Sequence, residues 1–195
     1  MKMDLKMSTA PATKSLQDQI QHLKYICLIG PLTNVLPRHL SNPTLFVDGG
    51  VRWRQHAPHI RSLSLGDGDS SSPELMDILL PENKSISDLG YALSAISGQA
   101  LDSINLSGFV GERIDHQLAV FGEVHEFLRK NHTFISFDEG HTGFAFARKQ
   151  PQTFCFEGGF SMFSMRPALV TLKGHIEYCL EQPQEILPFS SLGLS

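Results

Sequence analysis

Short apolar segments that end abruptly at glycine or aspartate constrain the fold of this chain more than any other feature. Three of them are residues 25–29 (YICLI), 44–47 (TLFV) and 62–65 (SLSL), and residues 104–109 (INLSGF) form a fourth after two predicted helices. Short apolar runs bounded by turn residues are typical of buried parallel strands. We therefore predict an α/β domain with a mostly parallel sheet.

Helical patterns fill much of the sequence around these strands. Ser15 can cap a short amphipathic helix, and Ser87 can cap the helix that begins at residue 88. Pro73 is expected to open a helix over residues 73–80, because proline is favoured in a first helical turn. A longer helix is predicted for residues 116–130, where apolar side chains recur on one side.

The pattern changes after Asn131, where short alternating segments are separated by glycine, proline or asparagine. Such spacing is typical of a small β-sandwich. The predicted organisation is thus a disordered lead-in at residues 1–14, an α/β catalytic domain at 15–132 and an all-β sandwich domain at 133–195.

Composition excludes several classes of function. The net charge of −4 and the pI near 6.1 provide no basic surface for nucleic acid. No apolar window approaches the roughly 18 residues that a membrane span needs, and the first residues lack the apolar region of a secretory signal. The three cysteines are far apart and form no CxxC pair, which favours reduced thiols. We expect a cytoplasmic protein that binds neither nucleic acid nor membrane.

The stretch GDGDS at residues 66–70 is the first candidate for chemistry. Asp67 and Asp69 lie one residue apart on a glycine-rich turn after a predicted strand, at the edge of the sheet where ligands bind in parallel folds. Carboxylate oxygens at this spacing suit a hard cation such as Mg²⁺. The alternative is an ordinary loop, since Gly, Asp and Ser are common turn residues.

Carboxylates recur at equivalent places along the chain. Asp48 follows the second strand, Asp115 lies beyond the fourth, and Asp88 is in the first turn of a helix. If the sheet is parallel, these residues converge with Asp67 and Asp69, and the repulsion among them requires a cation. Each also has a simpler explanation: Asp48 before Gly-Gly can simply end a strand, Asp88 is favourable at a helix start without metal, and Asp115 can form a surface pair with Arg113.

Groups suited to phosphate accompany the carboxylates. The predicted helices that begin near Ser87 and His116 present backbone N–H groups to anions, and Lys84 and Arg113 supply positive charge. The P-loop pattern GxxxxGK[ST] is absent from the sequence. The residues therefore indicate a Mg²⁺–nucleotide site that is built without a P-loop.

Four motifs resemble, in order and approximate spacing, those of the thiamine pyrophosphokinase family. They are LFVDGG, LGDGDS, PENKSISDLGYAL and GFVGERIDHQLA, at residues 45–50, 65–70, 81–93 and 108–119. The β half continues the resemblance with FSMFSM, VTLKGHIEYCL and the terminal SSLGLS. The resemblance extends over roughly residues 25–195.

The resemblance implies transfer of a pyrophosphoryl group from ATP to thiamine, giving thiamine diphosphate and AMP. It also implies a homodimer with active sites at the subunit interface. Carried over by motif position, Asp67, Asp69 and Asp88 would be catalytic Mg²⁺ ligands, and Asp115 is a candidate to accept the proton of the thiamine hydroxyl. The residues expected to bind ATP are Asp48, Gly49, Lys84, Ser87, Arg113 and His116, and Ser195 is expected in the thiamine pocket.

Several positions depart from the family pattern. Glu112 stands where the family has glycine, Val120 replaces a usual asparagine, and Val51-Arg52-Trp53 follows the DGG turn. The chain stops at Ser195, where the family continues with asparagine and its last strands, so a truncated β domain is one interpretation. Two alternatives therefore stay open: the same chemistry on another hydroxymethyl heterocycle such as a pterin, or a non-catalytic homologue that binds nucleotide or thiamine.

Overall fold

A computed structural model describes residues 11–111, 113–139, 142–146, 151–155 and 157–190 of the 195-residue chain. The chain divides into two compact units, with the division between residues 149 and 150. Within the described residues no helix is both long and apolar enough to cross a membrane.

The first unit is built on a seven-stranded sheet in the order β4-β3-β2-β1-β5-β6-β7. The first six strands are parallel to their neighbours, and β7 is antiparallel to β6. The bounds of the strands are β1 Tyr25–Ile29, β2 Thr44–Val47, β3 Ser62–Gly66, β4 Ile78–Leu79, β5 Ser103–Ser107, β6 Phe134–Asp138 and β7 Thr142–Phe146.

Both faces of the sheet are covered, because its strands are apolar on both sides. On β1, Ile26 and Leu28 belong to the larger buried cluster, while Cys27 and Ile29 belong to a second cluster. Successive side chains of a strand point to opposite faces, so this alternation places one cluster on each face. Burial of each such Leu or Ile side chain contributes roughly 1.5–3 kcal/mol to the stability of the folded state.

Three helices pack with this unit: α1 Pro11–Ile20, α2 Asp88–Ile96 and α3 Ile114–Lys130. Short 3₁₀ helices follow β2 and β3, at Asp48–His56 and Pro73–Leu75. Helix α2 contributes Leu89, Leu93 and Ile96 to the larger cluster.

Most predicted elements of the first unit are present, including β1, β2, β3, β5, α2 and α3. The helix predicted over residues 73–80 is wrong, since only one 3₁₀ turn forms there and Ile78–Leu79 then extends the sheet. Tertiary contacts override the helical pattern: the Asp77 carboxylate accepts a hydrogen bond of 2.9 Å from the Ser64 N–H, and the Ser64 hydroxyl donates to Leu75 O at 2.7 Å. These bonds fix the segment alongside β3.

The predicted lead-in at residues 1–14 needs correction at its end. Helix α1 begins at Pro11 rather than Ser15 and ends at Ile20. Proline fits a helix start because its missing N–H would have no intrahelical partner there. Residues 1–10 lie outside the described part of the chain.

The predicted domain boundary at residue 132 is also displaced. Strand β6 pairs in parallel with β5, and β7 folds back on β6, so both complete the first sheet. Alternation of apolar residues identifies a strand but not the sheet that the strand joins. The predicted order of an α/β unit with a mostly parallel sheet and a smaller β unit after it is confirmed.

The second unit contains a two-stranded antiparallel sheet in its described residues. Strand β8 (Ala168–Leu172) pairs with β9 (Leu180–Ile186), with an irregular register between Val170 and Leu172. Described residues between 151 and 167 form no strand, although alternating strands were predicted there.

Candidate active site

Three aspartates meet at the carboxyl ends of two neighbouring strands. Val47 at the end of β2 pairs with Leu65 near the end of β3, so the residues that follow both strands lie at one edge of the sheet. Asp48 follows β2 directly, Asp67 follows β3 directly, and Asp88 is the first residue of α2. One carboxylate oxygen from each of them lies within 4.8 Å of the others. We call these three residues the carboxylate cluster.

The turn that carries Asp48 requires an unusual backbone. Asp48 has a φ of 52°, in the left-handed region that few residues other than glycine adopt. A Cβ atom on Gly50 would lie 2.1 Å from Ile29 O, so only glycine allows the turn to approach β1 this closely. Gly50 thus allows the chain to turn directly after β2, where Asp48 joins the carboxylate cluster.

The Lys84 ammonium lies among these carboxylates. It donates a short hydrogen bond to Asp67 Oδ2 and lies 3.0 Å from Asp88 Oδ1. The side chains of Lys84, Asp67 and Asp88 are only 14%, 11% and 13% exposed. Lys84 is therefore a mostly buried counter-charge rather than a surface lysine.

The carboxylates of the cluster titrate differently. The hydrogen bond from Lys84 lowers the pKa of Asp67. Burial raises the pKa of Asp48, and the charges of Asp88 and Asp69 add to this effect. Burial also raises the pKa of Asp88, against the effect of the nearby Lys84 ammonium. The cluster carries more negative charge than one lysine can stabilise, and such a site favours an additional cation.

The cluster fits a hard divalent cation. Asp48 Oδ1 is buried and has no hydrogen-bond partner among the residues that the structure describes. An unpaired buried carboxylate oxygen is costly, and a metal ion would satisfy it. The donors are all oxygens, as Mg²⁺ prefers, and they come from a small number of carboxylates, which leaves positions open for phosphate.

Asp69, predicted as a third metal ligand beside Asp67 and Asp88, lies outside the carboxylate cluster in the described part of the chain. Its side chain is exposed, its backbone N–H donates to Asp67 Oδ1 at 3.2 Å, and its Oδ1 accepts from the Ser70 hydroxyl at 3.0 Å. Its charge nonetheless acts on Asp48 and Asp88. Its role as a ligand stays a prediction.

Three further residues predicted for the site, Arg113, Asp115 and His116, are not brought into the cluster in the described part of the chain. Arg113 and Asp115 form a bidentate ion pair, in which the Nη2–Oδ2 distance is 2.6 Å. Their side chains are 67% and 63% exposed. His116 is exposed in the first turn of α3. Of the five carboxylates expected to converge, the structure brings three within 4.8 Å of one another. Ser195 and Glu112 lie outside the described residues.

The start of α2 contains a contact that the sequence did not reveal. Ser87 is the predicted cap, and its hydroxyl accepts a hydrogen bond of 3.0 Å from the Gly90 N–H. Glu123 of α3 also reaches this point, where its carboxylate accepts from the Ser87 hydroxyl and the Ser87 N–H. No local signal marks Glu123, since its partner is 36 positions earlier in the chain.

A second carboxylate missed in the sequence is Glu139, which follows β6. Its Oε1 accepts hydrogen bonds from the backbone N–H groups of Phe109 at 2.7 Å and Val110 at 3.3 Å. Burial raises the pKa of Glu139, against these hydrogen bonds. Glu139 thereby holds the segment after β5 that leads to Arg113.

Arg52 and Trp53, which depart from the family pattern, have a structural role here. Arg52 Nη2 donates to Pro31 O at 2.7 Å, and Trp53 Nε1 donates to Thr33 O at 2.9 Å. Both side chains hold the loop that follows β1. This packing gives both residues a structural role in the first unit.

Comparison with known proteins identifies the fold of this chain. No family model matches the sequence, and no curated protein does. Among solved structures, the chain is similar to the thiamine pyrophosphokinase of Bacillus subtilis, with a TM-score of 0.57 and 21% identity over 88% of this chain and 87% of that one. It is also similar to a thiamin pyrophosphokinase family protein of Enterococcus faecalis, with a TM-score of 0.53 and 19% identity over 84% and 85% of the two chains.

A third similarity covers less. The match to the thiamin pyrophosphokinase of Geobacillus thermodenitrificans has a TM-score of 0.44 and 21% identity, and it covers 58% of this chain and 59% of that one. At about one residue in five identical, the two longer matches establish the fold alone. The predicted resemblance is thus confirmed in fold: this chain has the architecture of the thiamine pyrophosphokinases.

Proposed function

We propose that this protein is an enzyme that transfers a pyrophosphoryl group from ATP to thiamine in a Mg²⁺-dependent reaction, giving thiamine diphosphate and AMP. The observation that carries the proposal is the meeting of Asp48, Asp67 and Asp88 at one sheet edge. The fold is similar to that of thiamine pyrophosphokinases, and the three residues come from three of the four family motifs, LFVDGG, LGDGDS and PENKSISDLGYAL.

The carboxylate cluster would hold the metal, with Asp69 as a further ligand expected from the sequence. When bound there, Mg²⁺ supplies positive charge to the polyphosphate, whose negative charge must be neutralised during transfer. Asp48 Oδ1 is available for this purpose, since it is buried and unpaired within the described residues.

The other residues of the site position and neutralise the substrates. In the proposed reaction the thiamine hydroxyl oxygen attacks the β-phosphorus of ATP, the bond from that phosphorus to the oxygen joining it to the α-phosphate breaks, and AMP leaves. Lys84 and Arg113 would neutralise phosphate oxygens, and Asp115 is the candidate to accept the hydroxyl proton. Catalysis of this type depends mainly on positioning and electrostatics.

The assembly and location proposed for the enzyme come from the sequence. We expect a homodimer whose active sites lie at the subunit interface, acting in the cytoplasm. Size-exclusion chromatography with light scattering would test the dimer, and a monomer with full activity would contradict it.

The test of function is a product analysis. The purified full-length chain is incubated with thiamine, ATP and Mg²⁺, and nucleotides and thiamine esters are separated by chromatography. We expect thiamine diphosphate and AMP in equal amounts, with no product in EDTA. ADP as the nucleotide product, or no product from folded protein, would contradict the proposal. A panel of pterins and other hydroxymethyl heterocycles in the same assay separates the acceptors.

A further inference from the structure

Lys84 occupies a position in which a cation is needed even in the absence of metal. Its ammonium contacts two members of the carboxylate cluster, Asp67 and Asp88, and its side chain is only 14% exposed. A buried ammonium keeps its charge only where such partners replace water. Lys84 is therefore held by two of the carboxylates that would bind a divalent cation.

One ammonium does not balance this cluster. The three carboxylates and Lys84 together leave two negative charges uncompensated, and Asp48 Oδ1 has no partner in the described part of the chain. A dication would compensate this charge, but it and the ammonium would repel each other if both contacted the same carboxylates. The two cations therefore compete for contact with Asp67 and Asp88.

We propose that Lys84 is an exchangeable counter-cation, which neutralises Asp67 and Asp88 while the metal is absent and is displaced when a divalent cation binds. The inference depends on the proposed function in one respect only: the nucleotide polyphosphate, to which the displaced lysine moves, is taken from that function. Lys84 thus changes from carboxylate oxygens to phosphate oxygens as the site fills.

The position of Lys84 in the chain permits this exchange. It lies in the segment between β4 and α2, which forms no helix or strand over residues 80–87. Asp67 and Asp88, in contrast, are fixed next to the end of β3 and at the start of α2. A lysine side chain is flexible and its ammonium can donate hydrogen bonds to carboxylate or phosphate oxygens alike, so the lysine moves while the carboxylates stay.

The exchange couples metal binding to nucleotide binding. Without nucleotide, displaced Lys84 has no anion to contact, so the metal binds weakly. With nucleotide, the phosphates accept the lysine and the metal binds more tightly. By linkage, the metal must increase nucleotide affinity by the same factor.

The first test measures Mn²⁺ binding to the nucleotide-free full-length chain by electron paramagnetic resonance. Lys84→Met removes the competing charge, so we expect Mn²⁺ to bind at least about tenfold more tightly. A tenfold change in affinity corresponds to about 1.4 kcal/mol of binding free energy. Lys84→Arg keeps the charge and should bind as weakly as the natural chain. Lys130→Met, at an exposed position in the last turn of α3, is the matched control and should change nothing. Equal or weaker binding in Lys84→Met would overturn the inference.

The second test uses the natural chain, so it does not depend on the folding of a variant. An amine-acetylating reagent is applied with and without saturating Mg²⁺, and modification of each lysine is measured by mass spectrometry. We expect Lys84 to be protected without metal and modified several-fold faster with it, while exposed Lys130 is unchanged. Continued protection of Lys84 at saturating Mg²⁺ would contradict the exchange.

These readouts separate the inference from the proposed function. If the natural chain forms no thiamine diphosphate but Lys84→Met binds Mn²⁺ more tightly, the exchange stands and the substrate assignment fails. If thiamine diphosphate forms but Lys84→Met leaves Mn²⁺ affinity unchanged, the exchange fails and the function stands.

Discussion

The Ser87 hydroxyl donates a hydrogen bond of 2.7 Å to the Glu123 carboxylate, which joins the first turn of α2 to the middle of α3. The same hydroxyl accepts from the Gly90 N–H and so caps α2. A carboxylate is favourable at a helix start, where the backbone carries partial positive charge. The protein's own anion therefore lies at the helix start that the sequence predicted as a phosphate site.

Removal of the Ser87 hydroxyl should destabilise the fold. Ser87→Ala loses the α2 cap and a partner of Glu123, so we expect the free energy of unfolding in urea to fall by about 1 kcal/mol. Ser87→Thr keeps the hydroxyl and should stay near the natural value. Equal stability of the alanine and threonine variants would show that the cap contributes nothing.

Glu139 should matter through the backbone that it holds. In Glu139→Ala the N–H groups of Phe109 and Val110 lose their acceptor, and an unsatisfied buried donor costs about 1–3 kcal/mol. Urea denaturation should show a loss of this size. Asp138→Ala, at the exposed neighbouring position, is the control and should change stability by less than about 0.5 kcal/mol. Similar losses in both variants would argue against a specific role for Glu139.

Asp48→Asn should stabilise the metal-free protein at neutral pH, on the order of 1 kcal/mol, because a functional site stores unfavourable interactions. Burial raises the pKa of Asp48, so its ionised form is less favourable in the folded state than in the unfolded state. Asparagine has no charge and also tolerates the left-handed backbone at this position. Activity should be lost in the same variant.

The pH dependence of stability separates the effect of the Asp48 charge from the effect of the backbone at this position. A raised folded-state pKa means that the natural chain loses stability as pH rises from about 4, the ordinary value for aspartate, through the folded-state pKa. The advantage of Asp48→Asn should therefore grow over that interval, whereas the backbone contribution does not change with pH. Denaturation in EDTA at several pH values measures this. A constant difference would attribute the effect to the backbone alone.

The carboxylates after β3 should be essential for transfer. Asp67→Asn is expected to lower thiamine diphosphate formation by about 10²-fold or more, comparable to the loss of one group that stabilises a transition state. Asp69→Asn is also expected to abolish Mg²⁺-dependent activity, as the sequence motif predicts. Circular dichroism should show both variants folded, and Asp102→Asn, which is exposed before β5, should retain activity. Unchanged activity in Asp69→Asn would place that residue outside the metal site.

The sequence predicted the parts of this molecule that depend on local pattern. Buried parallel strands such as β1 and β2 are continuous apolar runs, and their ends are marked by glycine and aspartate. Because parallel strands end at one sheet edge, Asp48 and Asp67 could be placed together before the sheet order was known. The hydroxyl cap at Ser87 was also visible, since serine before a helix has few other roles.

The features that could not be predicted from the sequence depend on contacts between residues far apart in the chain. Strand β4 forms because Asp77 and β3 hold a segment whose own pattern is helical. Glu123 and Glu139 accept hydrogen bonds from backbone N–H groups 36 and 30 positions away, and neither has a marker in its own segment. Asp115 was predicted for the site from its motif position. It lies on the surface with Arg113, because helix α3 begins there in an exposed turn.

The central claim is that the carboxylate cluster binds the divalent cation of a nucleotide-dependent transfer. A crystal structure of the full-length chain with Mn²⁺ and a non-hydrolysable ATP analogue, with the metal located by anomalous scattering, tests it most directly. The account predicts an ion that is coordinated by Asp48, Asp67 and Asp88, with Lys84 moved from the carboxylates to the phosphates. An ion bound elsewhere, or nucleotide bound while Lys84 still contacts Asp67 and Asp88, would contradict it.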